Sequence, residues 1–303
     1  MSGTGVATID ECRIAYRRAG TSGPPVVLCH GAGIDDATVS WRHTIDALAD
    51  DYRVYGIDWP EYGNSTGNVT HTIETYVDVL DGFLETLPDE RVSLAGISMG
   101  GGVALGYALA NPDRVEQLAL VDSYGLGERL PSALPWKMVA QFPGMTEFGK
   151  IAASTSPSSV RMVLDNLVAD ADALPEPFIE DVRKKLMEPG SIRAFKEFQE
   201  NELSFSGRVA TNFAPRLESV SVPTLLVHGK QDPLVPVEWS VRAADRIPDA
   251  ELALIDDCGH WTPRERPDQL NERLQDWLPD DRGVAKPQYT KAEMPGVTRV
   301  GSD

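Results

Sequence analysis

The sequence predicts an α/β fold: a mostly parallel central sheet with helices on both faces and a helical segment inserted late in the chain. Three observations predict it. Short apolar runs of strand composition alternate with segments of helical spacing up to residue 123, and the same rhythm resumes after residue 222. Between them the rhythm stops, replaced by helix-like segments broken by Pro131, Pro135, Pro143, Pro157, Pro175, Pro177 and Pro189. A chain of 303 residues with 42% hydrophobic residues is long enough to bury a large core.

Residues 5–20 read as an opening strand pair, and Pro24 to Cys29 as a short buried strand. A helix over 41–49 and a strand over 52–58 follow. Over 72–87, Ile73, Tyr76, Val77, Leu80, Phe83, Leu84 and Leu87 fall at helical spacings and are expected to face the sheet. Arg91 to Gly96 has strand composition, Val103 to Ala110 is helical before Asn111-Pro112 stops it, and 115–122 is a further strand. A buried strand returns at Pro223 to Gly229, and Glu251 to Asp256 reads as a further strand. The expected organisation is a core built from 1–123 and 223–279, a helical cap inserted over 124–222, and a polar, Gly/Pro-punctuated extension over 280–303. Such an insertion would shape a pocket over the sheet. Trp136, Phe142 and Met145 are candidates for its apolar wall, with Met138, Phe148, Met162, Leu164, Leu167 and Phe178 as further candidates, most of them expected to be cap core.

Chemistry enters at Gly96-Ile97-Ser98-Met99-Gly100, between the strand ending at Gly96 and the helix after it. A serine at such a corner sits in a strained backbone conformation, and side chains at 96 and 100 would collide across the turn. Gly101 and Gly102 each cost about 1 kcal/mol in a helix relative to alanine, which points to close helix-to-sheet packing. A nucleophilic serine needs a base, and the base an orienting acid. His260 falls on the loop after the strand at 251–256, and Asp232 on the loop after the strand at 223–229. Asp122 also ends a strand, but Asp232 is preferred because its turn follows a strand directly and a helix-forming segment succeeds it. The turn His30-Gly31-Ala32-Gly33 after the first buried strand could aim backbone N–H groups at a developing oxyanion, with Ala32 and Met99 as the expected donors. Trp261, beside the base, is a candidate pocket residue.

With these elements in the order Ser98, Asp232, His260, the chain resembles the α/β-hydrolase superfamily, serine branch, over nearly all of residues 5–279. Gly56 to Ser65 is similar to that family's D-x-P-G-x-G-x-S loop, with Glu61 at the usual glycine. Ser98 to Gly101, Leu120 to Gly127 and Cys258 to Trp261 look most like the meta-cleavage C–C hydrolases, although Ile97 stands where those carry asparagine and Ile34-Asp35 where Pro-Gly is common. Cofactor-free perhydrolase-like esterases share Ser98 to Gly102. The resemblance implies an α/β-hydrolase fold and acyl transfer through Ser98, His260 and Asp232, without a metal or organic cofactor. Carboxylic ester hydrolysis is the first expectation and carbon–carbon cleavage of a vinylogous diketone the alternative. A third reading, of another class, is a small-molecule receptor on a hydrolase fold. In the cap, Arg161, Arg183 and Arg193 could bind a substrate carboxylate, but surface ion pairing is the expected role of each.

Acidic residues number 46 against 28 basic ones, a formal charge of −18, which disfavours nucleic acid and anionic membranes as partners. The expected partner is a small molecule, an apolar ester, and a homodimer is compatible with the sequence. The acids are spread along the chain and lysines are few, 8 beside 20 arginines. This fits either a halophilic protein, whose self-repulsion salt screens, or an ordinary acidic enzyme. A melting temperature that rises from low to molar KCl is the expected result, and a flat response would remove the high-salt reading. No apolar run is long enough for a transmembrane helix, and residues 1–5 show no secretory signal. Cys12, Cys29 and Cys258 form no motif and are expected to be reduced thiols in a cytoplasmic protein. The five histidines lack close metal-ligand spacing, and His30 and His228 are expected to make local hydrogen bonds.

Overall fold

The computed structural model describes residues 2–131, 145–187 and 191–279. Strands β1 (Gly3–Ile9), β2 (Cys12–Ala19), β3 (Pro25–Cys29), β4 (Arg53–Ile57), β5 (Val92–Ile97), β6 (Val115–Val121), β7 (Thr224–Gly229) and β8 (Ala250–Ile255) form one sheet. Its order is β1-β2-β4-β3-β5-β6-β7-β8. β2 pairs antiparallel with both β1 and β4, and the remaining neighbours are parallel. The chain winds outward from β3 to β4, then crosses to β5 on the other side of β3. The crevice at the carboxyl ends of β3 and β5 is therefore the topological switch point, where open α/β sheets bind their ligands.

Side chains of β3 show how the sheet builds two cores. Val27 and Cys29 join a cluster with Tyr76, Phe83, Val103, Tyr107 and Trp239, while Val26 and Leu28 join one with Val39, Ile45, Leu270 and Leu274. Helices α2 (Ile73–Glu85), α3 (Met99–Ala110) and α8 (Val237–Arg246) thus cover one face, and α1 (Ala37–Leu48) and α10 (Pro267–Trp277) the other. In α2 the buried set is Ile73, Tyr76, Val79, Leu80, Phe83 and Leu84; Val79 adds to the periodic pattern, while Val77 and Leu87 pack against the same core half-buried. α1 starts four residues earlier than the apolar spacing predicts. Asp36 caps it by accepting from the Val39 N–H at 2.7 Å, and small buried residues, Ala37 and Ser40, fill its first turn.

Between β6 and β7 the described residues form α4 (Met145–Ser154), α5 (Pro157–Leu164), α6 (Glu176–Met187) and α7 (Ser191–Glu202) and no strand. Val160, Leu164, Phe178, Ile179 and Val182 pack into the second core, and Phe198 and Leu203 into the first. A buried ion pair ties the insertion to the sheet layer: Lys185 Nζ on α6 lies 2.5 Å from Asp36 Oδ2, with both side chains at most 10% exposed. Burial opposes the charge on Asp36, but Lys185 outweighs it and holds that carboxyl below its ordinary range. Lys185→Met is expected to cost about 3 kcal/mol or more, because it strands a buried carboxylate. Lys185→Met with Asp36→Asn, which keeps a capping oxygen, is expected to recover most of that in urea unfolding; a single variant as stable as wild type would show that the pair contributes nothing.

A short helix α9 (Thr262–Glu265) precedes α10. Cys12, Cys29 and Cys258 are buried free thiols. Among the described residues no helix is long and apolar enough to cross a membrane. The extension at 280–303 lies outside the described residues.

Candidate active site

Each side chain singled out by its place after an apolar run lies at the carboxyl edge of the sheet. Ser98 sits between β5 and α3 with φ +52°, the strained left-handed conformation expected at the corner. Its N–H donates to Val121 O at 3.0 Å and its carbonyl accepts from Gly102 and Tyr124. Only hydrogen fits on the flanking glycines. A Cβ on Gly96 would lie 2.2 Å from Gly100 O, across the turn as expected, whereas one on Gly100 would lie 2.3 Å from Cys29 O, at the end of β3. On Gly101 a Cβ would strike Ser123 at 2.4 Å, which is the close packing that a glycine within the helix implied.

His260, on the loop after β8, places Nε2 2.9 Å from Ser98 Oγ and Nδ1 2.7 Å from Asp232 Oδ2. The other Asp232 oxygen accepts from the N–H groups of Leu234 and Val235, at 2.7 and 2.9 Å. Burial alone would lower the basicity of His260 and raise that of Asp232. Their mutual attraction wins: it raises His260 to about 9 and holds Asp232 far below the usual carboxylate range. The His260 loop is itself fixed, its N–H donating to Leu167 O at 2.7 Å and the Glu265 carboxylate accepting from the N–H groups of Gly259 and Trp261.

Asp122, the other strand-end acid, does not bond His260. Its oxygens accept from the N–H groups of Gly229 and Thr262, at 2.9 and 3.2 Å, and so lace the ends of β7 and α9 together. Donor atoms of Asp122, His228 and Asp232 lie within 4.8 Å of one another, a spacing that could hold a metal ion. Every one of them already has a hydrogen-bond partner in the protein, so a metal would have to displace those bonds.

The turn after β3 closes the other side. Gly31 N–H donates to Asp35 Oδ2 at 2.8 Å and is not free. Among the described residues, nothing accepts from the N–H of Ala32 or of Met99, the first residue of α3, and both line the same cavity as Ser98. A chain of bonds supports this turn: Trp261 Nε1 donates to Ser40 Oγ at 2.8 Å, and Ser40 Oγ donates to Asp35. Burial pushes Asp35 up to about 7.

Ile34, Ile97, Leu167, Phe195, Phe198 and Trp261 are among the residues that wall that cavity, so Trp261 lies where it was expected. Trp136 and Phe142 lie outside the described residues, as does the side chain of Met145, whose backbone opens α4. Phe195, Phe198 and Gln199 on α7 line the cavity and were not singled out by their sequence context. Phe178 instead stacks edge-on against Trp261 from behind, and Met162 is 72% exposed. Arg161, Arg183 and Arg193 are ion-paired with Glu176, Glu180 and Glu61, as expected. Among the described lining residues, His260 alone carries a basic side chain.

Residues 24–267 match the family model for the alpha/beta hydrolase fold. The chain belongs to this alpha/beta hydrolase family. It is a hydrolase, in keeping with its named relatives. A 2-hydroxy-6-oxononadienedioate/2-hydroxy-6-oxononatrienedioate hydrolase of Cupriavidus pinatubonensis is 28% identical over 277 residues, 88% of this chain and 91% of the relative. Among solved structures, 2-hydroxy-6-oxo-6-phenylhexa-2,4-dienoate hydrolase from Rhodococcus sp. strain RHA1 superimposes with a TM-score of 0.74 at 26% identity, covering 91% of this alpha/beta hydrolase and 98% of that chain. A thermophilic esterase from Thermogutta terrifontis gives 0.71 at 25%, with the same coverage.

Proposed function

We propose that this alpha/beta hydrolase cleaves a carbonyl compound with Ser98 as nucleophile, His260 as base and Asp232 as the orienting acid. The observation that carries the reading is the pair of contacts on one imidazole, 2.9 Å to the serine hydroxyl and 2.7 Å to the carboxylate. Nδ1 faces an acceptor-only carboxylate and so holds the proton, which leaves Nε2 to take the proton of Ser98 as Oγ bonds to the carbonyl carbon. The N–H groups of Ala32 and Met99 receive the oxyanion, Asp232 stabilises the imidazolium, and His260 returns the proton to the leaving group. Water activated by the same histidine then releases the acid and restores the serine. The helices of the insertion act as a cap that limits water.

For the bond broken, the names of the relatives favour carbon–carbon hydrolysis of a ring-fission product, and we take that reading first. Such a substrate must become a ketone before its carbonyl can be attacked. Water then adds across the C–C bond to give a carboxylic acid and an enol. A carboxylic ester is the second reading, favoured by the lining: a dienoate carrying a carboxylate would enter a cavity where the described residues offer it no lysine or arginine. A panel of p-nitrophenyl esters of increasing chain length beside a dienoate ring-fission product separates them. The first reading predicts kcat/KM at least about tenfold higher on the ring-fission product, a difference of about 1.4 kcal/mol in transition-state binding. A profile dominated by the esters would reverse the order.

A further inference from the structure

His228, the penultimate residue of β7, is fully buried and takes no direct part in the mechanism above. Its Nε2 lies 3.1 Å from Val235 O and 3.2 Å from Asp232 Oδ2, and its Nδ1 lies 2.7 Å from Ser240 Oγ on α8. A carbonyl and an ionised carboxylate only accept, so Nε2 carries the proton: it donates to Val235 O and sets its N–H charge against Asp232 Oδ2 at 3.2 Å. In the neutral ring Nδ1 must then accept, from the Ser240 hydroxyl. The imidazole is thereby gripped on both edges, and it touches the same Asp232 oxygen that holds His260.

We propose that His228 is a positioning residue for the Ser98, His260 and Asp232 array: its Nε2–H, 3.2 Å from the Asp232 oxygen that meets His260, holds that carboxylate in place and quenches part of its charge. The proposal rests on the roles given to those residues above. Removing the donor leaves Oδ2 with one partner in place of two. The carboxylate gains freedom to turn and binds the His260 imidazolium more tightly, so His260 keeps its proton to higher pH. The other charged groups facing His260 are Asp122 at the end of β6 and Glu265 on α9, and Asp122 also faces His228; both are unchanged by the substitution.

The test is the second-order rate of Ser98 labelling by a fluorophosphonate against pH, which needs no knowledge of the substrate. His228→Met, apolar and of similar bulk, is expected to label roughly tenfold more slowly near neutrality, with the acid limb of the profile moved up by about one pH unit. His228→Gln, whose amide N–H can reach Asp232, is expected to restore the limb to near its wild-type position. A folded Met variant with the wild-type rate and limb would overturn the proposal, as would a Gln variant no better than Met. Should the Met variant fail to fold, Ser240→Ala decides: loss of the far grip is expected to move the limb upward, and an unmoved limb assigns His228 to packing alone. Labelling that persists in Ser98→Ala would instead sink the underlying site reading, so the two failures are distinguishable.

Discussion

Ser98→Ala is expected to lower kcat by about four orders of magnitude or more while leaving the melting temperature within a few degrees of wild type. The serine Oγ contributes little to stability, because among the described residues it bonds only His260, at 2.9 Å, and the corner itself is held by backbone bonds from Ser98 N to Val121 O and from Gly102 N to Ser98 O. Alanine can keep both backbone bonds. What it removes is the atom that would bond to the carbonyl carbon, and His260 then has no hydroxyl to deprotonate. Steady-state kinetics with a thermal melt on the same preparation checks this. Retained turnover at more than about a hundredth of wild type in a folded variant would assign the chemistry to another group.

Gly100→Ala has the opposite character: a small change expected to damage the fold first. The added methyl would lie 2.3 Å from Cys29 O and 2.5 Å from His30 O, both backbone atoms at the end of β3. Neither can swing aside like a side chain. The start of α3 must separate from β3, or the His30-Gly31-Ala32 turn must shift, and either movement misplaces the N–H groups of Ala32 and Met99. A loss of about 4 kcal/mol or failure to fold is expected, placing the variant in the severe tail of single substitutions. Gly149→Ala is the control, since a Cβ there meets nothing within 4 Å in α4, and it is expected to be neutral or stabilising by up to about 1 kcal/mol. Equal stability of the two alanine variants in urea unfolding would contradict the close approach of α3 to β3.

How legible the molecule was depended on whether a residue's neighbours in sequence are also its neighbours in space. β3, β5, β6 and β7 are buried on both faces and β8 is a half-buried strand; all read as apolar runs, so Ser98, Asp232 and His260, placed just past strand ends, could be located by order alone. The glycines at the corner were legible for the same reason: a steric demand made within a few residues leaves its mark there. The inserted helices were not legible in this way. An apolar stripe serves equally to pack helix on helix or to wall a cavity, and periodicity cannot tell Phe195 and Phe198, which line it, from Phe178, which braces Trp261 from behind. Met162 shows the limit, being apolar yet 72% exposed. His228 and Asp35 illustrate a second kind of silence. A histidine four residues before an aspartate, and an acid beside a helix cap, look like local hydrogen bonding until the fold brings Ser240 and Trp261 to them.

The central claim is that Ser98 is made reactive by its contact with His260, and mass-spectrometric mapping of a fluorophosphonate adduct tests it most directly. The account predicts a single adduct on the peptide carrying Ser98, formed far more slowly in His260→Gln and absent in Ser98→Ala, with all three proteins folded in molar KCl. No adduct on the folded wild-type protein, or one on a different residue, would contradict it.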